Sequence, residues 1–213
     1  MEIGGYLEFE TFNGPEYHTG AIRLNSGRNC LAYLIETRRI QNIALPYLIC
    51  SSVIDICKKN NVKIHFYHIS EDFKPILDDH HHTNGVFIYI VNYYGQIANE
   101  YIQQLVEKYR NIIIDNAQAY FQTPIPGVDT IYTCRKFFGV PDGAYLYTNA
   151  ILEYTLQQDV SYHRMQHLLG RFEEDASSHY EEFKKNENEI EQIPLRTMSK
   201  LTTNILKGID YSR

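Results

Sequence analysis

Two apolar runs, residues 85–91 (GVFIYIV) and 111–115 (NIIID), constrain this chain more than any other feature. A strand with one face in water alternates apolar and polar residues, whereas a run without alternation buries both faces. Between the two runs, residues 97–110 place Ile97, Tyr101, Ile102, Leu105 and Val106 on one side of a helix. A doubly buried strand, a helix and a second doubly buried strand form the repeating unit of a parallel sheet covered by helices. The same alternation is present upstream. Residues 31–40 (LAYLIETRRI) have a helical period, 42–45 (NIAL) a short strand ending at Pro46, 53–59 a helix, and 62–68 (VKIHFYH) a strand. The expected fold is α/β, a mostly parallel sheet with helices on both faces, followed by C-terminal helices. Such sheets gather their ligands just beyond the carboxyl ends of the strands.

From Asn149 the pattern turns helical. Leu168, Leu169, Phe172, Ala176, Tyr180 and Phe183 recur by threes and fours opposite Glu173, Glu174, Glu181, Glu182, Lys184 and Lys185. That spacing predicts one long amphipathic helix over about 161–185, serving either as an interface or as core packing. Pro194 ends it, and 195–206 predicts another helix. Two units are expected, a sheet domain over 1–148 and a helical segment over 149–213. The net charge of −6 comes without a basic block, which argues against a nucleic-acid partner. No signal-like leader and no apolar run near twenty residues occur, so neither secretion nor a membrane span is expected. Cys30, Cys50, Cys57 and Cys134 form no CxxC pair and read as reduced thiols of a cytoplasmic protein. His80, His81 and His82 form the only cluster with metal-ligand character. Three consecutive histidines cannot all face one ion, and 78–85 reads as a polar loop, so no metal site is expected.

Four segments fall where a parallel sheet would collect a site. Asn25-Ser26-Gly27-Arg28 precedes the first helix. Ser26 suits an N-cap, and Gly27 lets a ligand approach free backbone N–H groups, although many helices begin this way and bind nothing. Asp115 closes a buried strand, where a carboxylate needs a partner. It is either a helix cap or half of a buried ion pair, or it faces a cationic ring nitrogen with small Ala117 leaving room for a flat ring. Asn92 stands at another strand end before Gly95, in an ordinary turn or positioned to orient a ligand. Lys136, in TCRKFFGVPDGAYL, either snorkels to solvent from a strand end or supplies an amine. An anion cradle, a strand-end Asp and a lysine 21 residues later are together what a pyridoxal phosphate site needs.

SGRNCLAYLI, VNYYGQ, IDNAQAYF and the lysine segment resemble, in order and approximate spacing, the DegT-like sugar aminotransferase family of fold-type I pyridoxal phosphate enzymes. The resemblance covers 24–148. It implies the large domain of that fold, pyridoxal 5'-phosphate as cofactor, an amino donor and a carbonyl acceptor such as a keto-sugar as substrates, and a homodimer. It further implies that Lys136 forms the Schiff base and Asp115 pairs with the pyridine nitrogen. Gln118 would lie by the phenolic oxygen, and Ser26, Gly27, Arg28 and Thr133 would hold the phosphate. Two departures stand out. Cys50 occupies the place of the family's ring-stacking aromatic, for which Tyr47 is the nearby substitute. The lysine loop Tyr132-Thr133-Cys134-Arg135-Lys136 is also shorter than the family's Ser-Phe-x-x-x-Lys. Family members continue into a small C-terminal domain, so this chain is expected to be truncated or reduced relative to them. A degenerate domain that binds the cofactor without turnover is the alternative. A nucleotide-binding domain fits less well, since neither GxGxxG nor GxxxxGK[ST] occurs.

Overall fold

A computed structural model describes residues 4–78 and 85–212. The histidines at 80–82 lie outside the described residues. In chain order the elements are β1 (Ile22–Leu24), α1 (Gly27–Arg38), β2 (Asn42–Pro46), α2 (Ser51–Lys59), β3 (Lys63–Ile69), β4 (Pro75–Ile76), β5 (Val86–Val91), α3 (Asn99–Lys108), β6 (Ile112–Asp115), β7 (Asp129–Thr133), β8 (Ala144–Tyr147), α4 (Gln166–Glu173), α5 (Tyr180–Gln192) and α6 (Lys200–Lys207). One sheet has the strand order β1-β8-β7-β6-β5-β2-β3-β4. Its centre, β7-β6-β5-β2-β3, is parallel. The antiparallel pairs β1/β8, β8/β7 and β3/β4 finish its two edges.

The apolar runs explain this centre. Tyr89 and Val91 of β5, with Ile113 and Ile131, face a cluster built on α1 and α2. Ile88, Ile90, Ile112 and Ile114 face the opposite side, where α3 contributes Ile102 and Leu105. Period-2 alternation therefore divides one unbroken apolar run between two cores. A third cluster, Tyr120, Tyr132, Tyr145, Met198 and Leu206, covers the outer part of the sheet. Ser26 caps α1 by accepting the Asn29 N–H at 3.2 Å, and Arg39 ends it in the left-handed region at φ 53°.

The C-terminal segment differs from its expected form. Residues 149–161 contain no helix. The amphipathic stripe also belongs to two helices, because Asp175 binds the N–H groups of Ser177 and Ser178 (2.8 and 3.1 Å) and the Ser178 hydroxyl (2.7 Å). An Asp that offers the backbone such local partners competes with the helical ladder. The stripe is largely in solvent, with Phe172 86% exposed and Leu169, Tyr180 and Phe183 exposed as well. The last helix starts at Lys200, not at 195. Before it, Thr197 bridges to Leu24 and Gln158, so 195–199 runs beside the sheet edge.

Candidate functional site

Strand directions bring the four sequence segments to one edge. β1 and β7 are both antiparallel to β8, so they run the same way, and α1 begins at the end where β7, β6, β5 and β2 finish. A Cβ placed on Gly27 would lie 3.9 Å from Thr133 Cβ and 3.8 Å from Ile131 Cγ2. The first turn of α1 therefore rests on the end of β7. In that turn the first helical bond is Cys30 N–H to Ser26 O, at 3.0 Å. Helix geometry leaves the N–H groups of Gly27 and Arg28 without intrahelical acceptors, at the positive end of the dipole. The Arg28 guanidinium turns away, toward the end of α5, where it donates to Ile190 O at 3.0 Å and faces Glu191 at 3.7 Å.

Asp115 ends β6 and is only 8% exposed. Its carboxylate accepts from the Ala117 N–H at 2.8 Å and from the Tyr89 hydroxyl at 2.9 Å. Burial raises its pKa, opposed by those two hydrogen bonds and by the positive charge of Lys136. The carboxylate in turn adds to the effect of burial in pushing up the Cys30 thiol. Lys136 follows β7 in an exposed turn, and because Asp115 pairs with Ile131 across β6 and β7, the two groups flank neighbouring strand ends. Among the described residues Lys136 has no hydrogen bond or ion pair. It lines a cavity of about 890 Å³ walled by Phe137, Phe138, Leu168, Phe172 and Phe183.

The remaining expected residues are spread along the edge. Asn92 is fully buried. Its amide donates to Asn116 at 3.0 Å and Gln122 at 2.6 Å, and its carbonyl accepts from Ile97 N–H at 2.9 Å, so it fastens the strand-end turn. Gln118 accepts from the Tyr94 N–H at 3.2 Å. Tyr47 is 61% exposed and stacks on Phe66 at 5.0 Å, after β2, two strands from β6 and three from β7. Cys50 is exposed at the start of α2, its sulfur 3.1 Å from Ser52 Oγ. Gly27 packs on Thr133 at the end of β7, and Asp115 with Ala117 follows the neighbouring end of β6; the cavity beside Lys136 is lined by none of these residues, and Tyr47 and Cys50 lie beyond the end of β2.

Sequence reasoning missed Tyr89. Alternation in GVFIYIV puts Tyr89 on the face that Asp115 shares, which is the one available signal. Among the described residues no group of three or more His, Cys, Asp or Glu could hold a metal ion, and no helix is long and apolar enough to cross a membrane.

No family profile and no curated protein matches this sequence. Solved structures do match in fold. DesV of S. venezuelae, in complex with a ketimine intermediate, aligns at a TM-score of 0.50 and 16% identity, over 65% of this chain and 46% of its own. NtdA of Bacillus subtilis, with bound cofactor PMP, aligns at 0.50 and 15%, over 62% and 33%. L-threonine-O-3-phosphate decarboxylase of Porphyromonas gingivalis aligns at 0.50 and 16%, over 61% and 44%. The chain spans less than half the length of each. Its fold is theirs.

Proposed function

We propose that this protein belongs with the DegT-like, fold-type I enzymes and binds pyridoxal 5'-phosphate, as an aminotransferase acting on an amino donor and a carbonyl acceptor. One arrangement carries the reading: a buried carboxylate and an exposed lysine amine follow the ends of the neighbouring parallel strands β6 and β7, beside a helix start with free N–H groups. The fold shared with NtdA and DesV supports it, as do the sequence motifs. The residues fit the cofactor's chemistry. The first turn of α1 and Thr133 offer donors to a phosphate, Asp115 offers an anion to a ring nitrogen, and Lys136 offers a free amine.

When bound, the cofactor supplies an electron sink for charge developing at the substrate's α-carbon. Asp115 would hold a proton on the ring nitrogen, and its hydrogen bonds from Ala117 and Tyr89 would keep that oxygen pair oriented. Lys136 would hold the cofactor through its amine and, once the donor's amine displaces it, would serve as the base that takes up the donor's α-proton at Nζ. A keto-sugar acceptor is supported by the sequence resemblance alone. A homodimer and a cytoplasmic location belong to the same proposal, the latter supported by four free cysteines.

The test is a spectrum of the purified protein with pyridoxal phosphate. Wild type is expected to show a yellow band that borohydride bleaches and that a peptide map assigns to Lys136. Lys136→Ala should lose the band while its stability changes by no more than about 0.5 kcal/mol, as for an exposed side chain without partners. A band that survives in that variant refutes the assignment. The second reading, a cofactor-binding module without turnover, is favoured by Tyr47 stacking on Phe66, away from the ends of β6 and β7. Addition of glutamate decides: conversion to the pyridoxamine spectrum supports the enzyme, and an unchanged yellow band supports the module.

A further inference from the structure

The turn that carries Lys136 and the two helices α4 and α5 enclose a space that the proposed function leaves unused. A Cβ on Gly139, in that turn, would lie 3.9 Å from Leu168 Cδ2, so α4 sits on the turn. Where α4 meets α5, a Cβ on Gly170 would collide with the His179 ring. The rings of His167 and Phe183 meet there at 5.7 Å, edge to face, and His179 Nε2 lies 2.9 Å from Glu174 Oε2. Turn and hairpin hold one another, and the cavity between them has a volume of about 890 Å³. Sites for single small molecules run from about 300 to 1,000 Å³.

The walls favour an aromatic body. Phe137, Phe138, Phe172, Tyr180 and Phe183 line the cavity, and all but Phe138 are exposed to solvent. Rings left in water are stabilised by being covered, and they accept another ring in offset or edge-to-face contact. The charge favours an anion. The chain has 26 acidic residues against 20 basic ones, yet the lining holds Arg135, Lys136, Arg171, two histidines and no Asp or Glu. Arg135 is paired with Glu187. Among the described residues neither Lys136 nor Arg171 has a hydrogen bond or an ion pair. A guanidinium presents its donors as a planar fork that matches the two oxygens of a carboxylate, which an ammonium does not.

We propose that the cavity between the lysine turn and the α4–α5 hairpin binds a small aromatic acid, its ring among Phe137, Phe172 and Phe183 and its carboxylate on Arg171. A ligand there lies beside the Lys136 amine, yet its binding needs no cofactor and does not depend on the function proposed above. The competing occupant is the N-terminal arm of a second copy, in which Tyr6, Leu7 and Phe9 stand in solvent with Glu8 and Glu10. A concave space of single-molecule size favours the small ligand.

The experiment is isothermal titration calorimetry at pH 8 and fixed ionic strength, without pyridoxal phosphate. It compares indole-3-acetate, indole-3-acetamide and acetate on wild type, Arg171→Gln and Phe172→Ala. Both side chains are exposed, so both variants are expected to fold. Wild type should bind the indole acid about tenfold or more tighter than the amide, the size of one charge-assisted hydrogen bond, and acetate more weakly than either. Arg171→Gln should lose the preference for the acid and leave the affinity for the amide as it is. Phe172→Ala should weaken acid and amide alike, by about threefold or more. No binding of the acid, equal affinity for acid and amide in wild type, or a preference that survives in Arg171→Gln overturns the proposal. So does sedimentation that shows a dimer dissociated by both Phe172→Ala and Phe9→Ser, since the arm of a second copy then fills the cavity. Absence of a Lys136-linked yellow band refutes the cofactor reading and leaves these titrations untouched.

Discussion

Asp115 is a charge that its surroundings resist. Burial raises its pKa above 3.8, so the folded chain binds that proton more tightly than the unfolded one. Its contribution to stability is complete below the unfolded value and is lost as pH rises through the raised one. Asp115→Asn removes this dependence. Relative to wild type, the variant should gain stability as pH rises above the unfolded carboxylate's value, as measured by urea unfolding, while its cofactor affinity falls; an offset that stays constant with pH would count against the assignment. His18 has the opposite sign. It is 3% exposed, its Nε2 lies 2.9 Å from Tyr120 O, and its Nδ1 lies 3.2 Å from the Tyr147 hydroxyl. A neutral ring protonated on Nε2 satisfies both contacts. Burial lowers its pKa from 6.5 to about 4, against a raising effect of the Tyr120 carbonyl. The unfolded chain therefore takes up this proton first on acidification, and stability is lost from pH 6.5 down to about 4. His18→Gln should make that slope shallower. An unchanged slope means that other groups produce it.

At the scale of elements, α6 depends on a residue far from it in sequence. Asp142 is fully buried and accepts from the Ser199 N–H at 2.9 Å, from its hydroxyl at 2.7 Å, and from the Thr202 hydroxyl. Ser199 in turn caps the helix by accepting the Thr202 N–H at 3.1 Å. Ser199→Ala should cost about 1 kcal/mol, the ordinary loss of a cap. Asp142→Ala leaves several buried donors unpaired and should cost about 3 kcal/mol or more. Urea unfolding that ranks the two equally, or in reverse, contradicts this arrangement. The Gly-Val-Pro-Asp-Gly turn after Lys136 is thus partly a device for holding the C-terminal segment. Gly143, at φ 114°, is held there too, since a Cβ would stand 2.8 Å from Thr202 Cγ2. The expected single helix over 161–185 failed for a local reason of the same kind. Apolar spacing continued through Asp175, Ser177 and Ser178, but their hydrogen bonds did not.

Across the whole molecule, the last part of the segment beyond Asn149, from Arg196 through α6, packs into the core beside the sheet. Met198 and Leu206 complete the third cluster. The Asn25 N–H donates to Arg196 O at 3.1 Å, and Met198 donates to Arg23 O at 3.3 Å. The N-terminal arm closes on the same helix, with the Phe12 N–H bonded to Asn204 Oδ1 at 2.9 Å and Asn204 Nδ2 to Glu10 O at 2.7 Å. Leu206→Ala, at a fully buried position, should cost about 2–5 kcal/mol and lower one cooperative transition. Two resolved transitions, with that of the sheet unmoved, would instead make 1–148 and 149–213 separate units.

The strands β2, β3, β5 and β6 and the helices between them were legible in the sequence, because each follows from a period of two or 3.6 residues, or an unbroken apolar run, within one segment. The place of Asp115 at a strand end was legible for a related reason: a charge at the end of an apolar run is visible without knowing its neighbours. Only the packed chain decided that β1 and β8 extend the parallel centre, that Tyr89 donates to Asp115, and that Arg164 meets the start of α1 through Asp159 and Asn25. Those contacts join residues far apart in the chain or on different strands. Their energy comes from burial and from satisfied polar groups, neither of which leaves a local period to read.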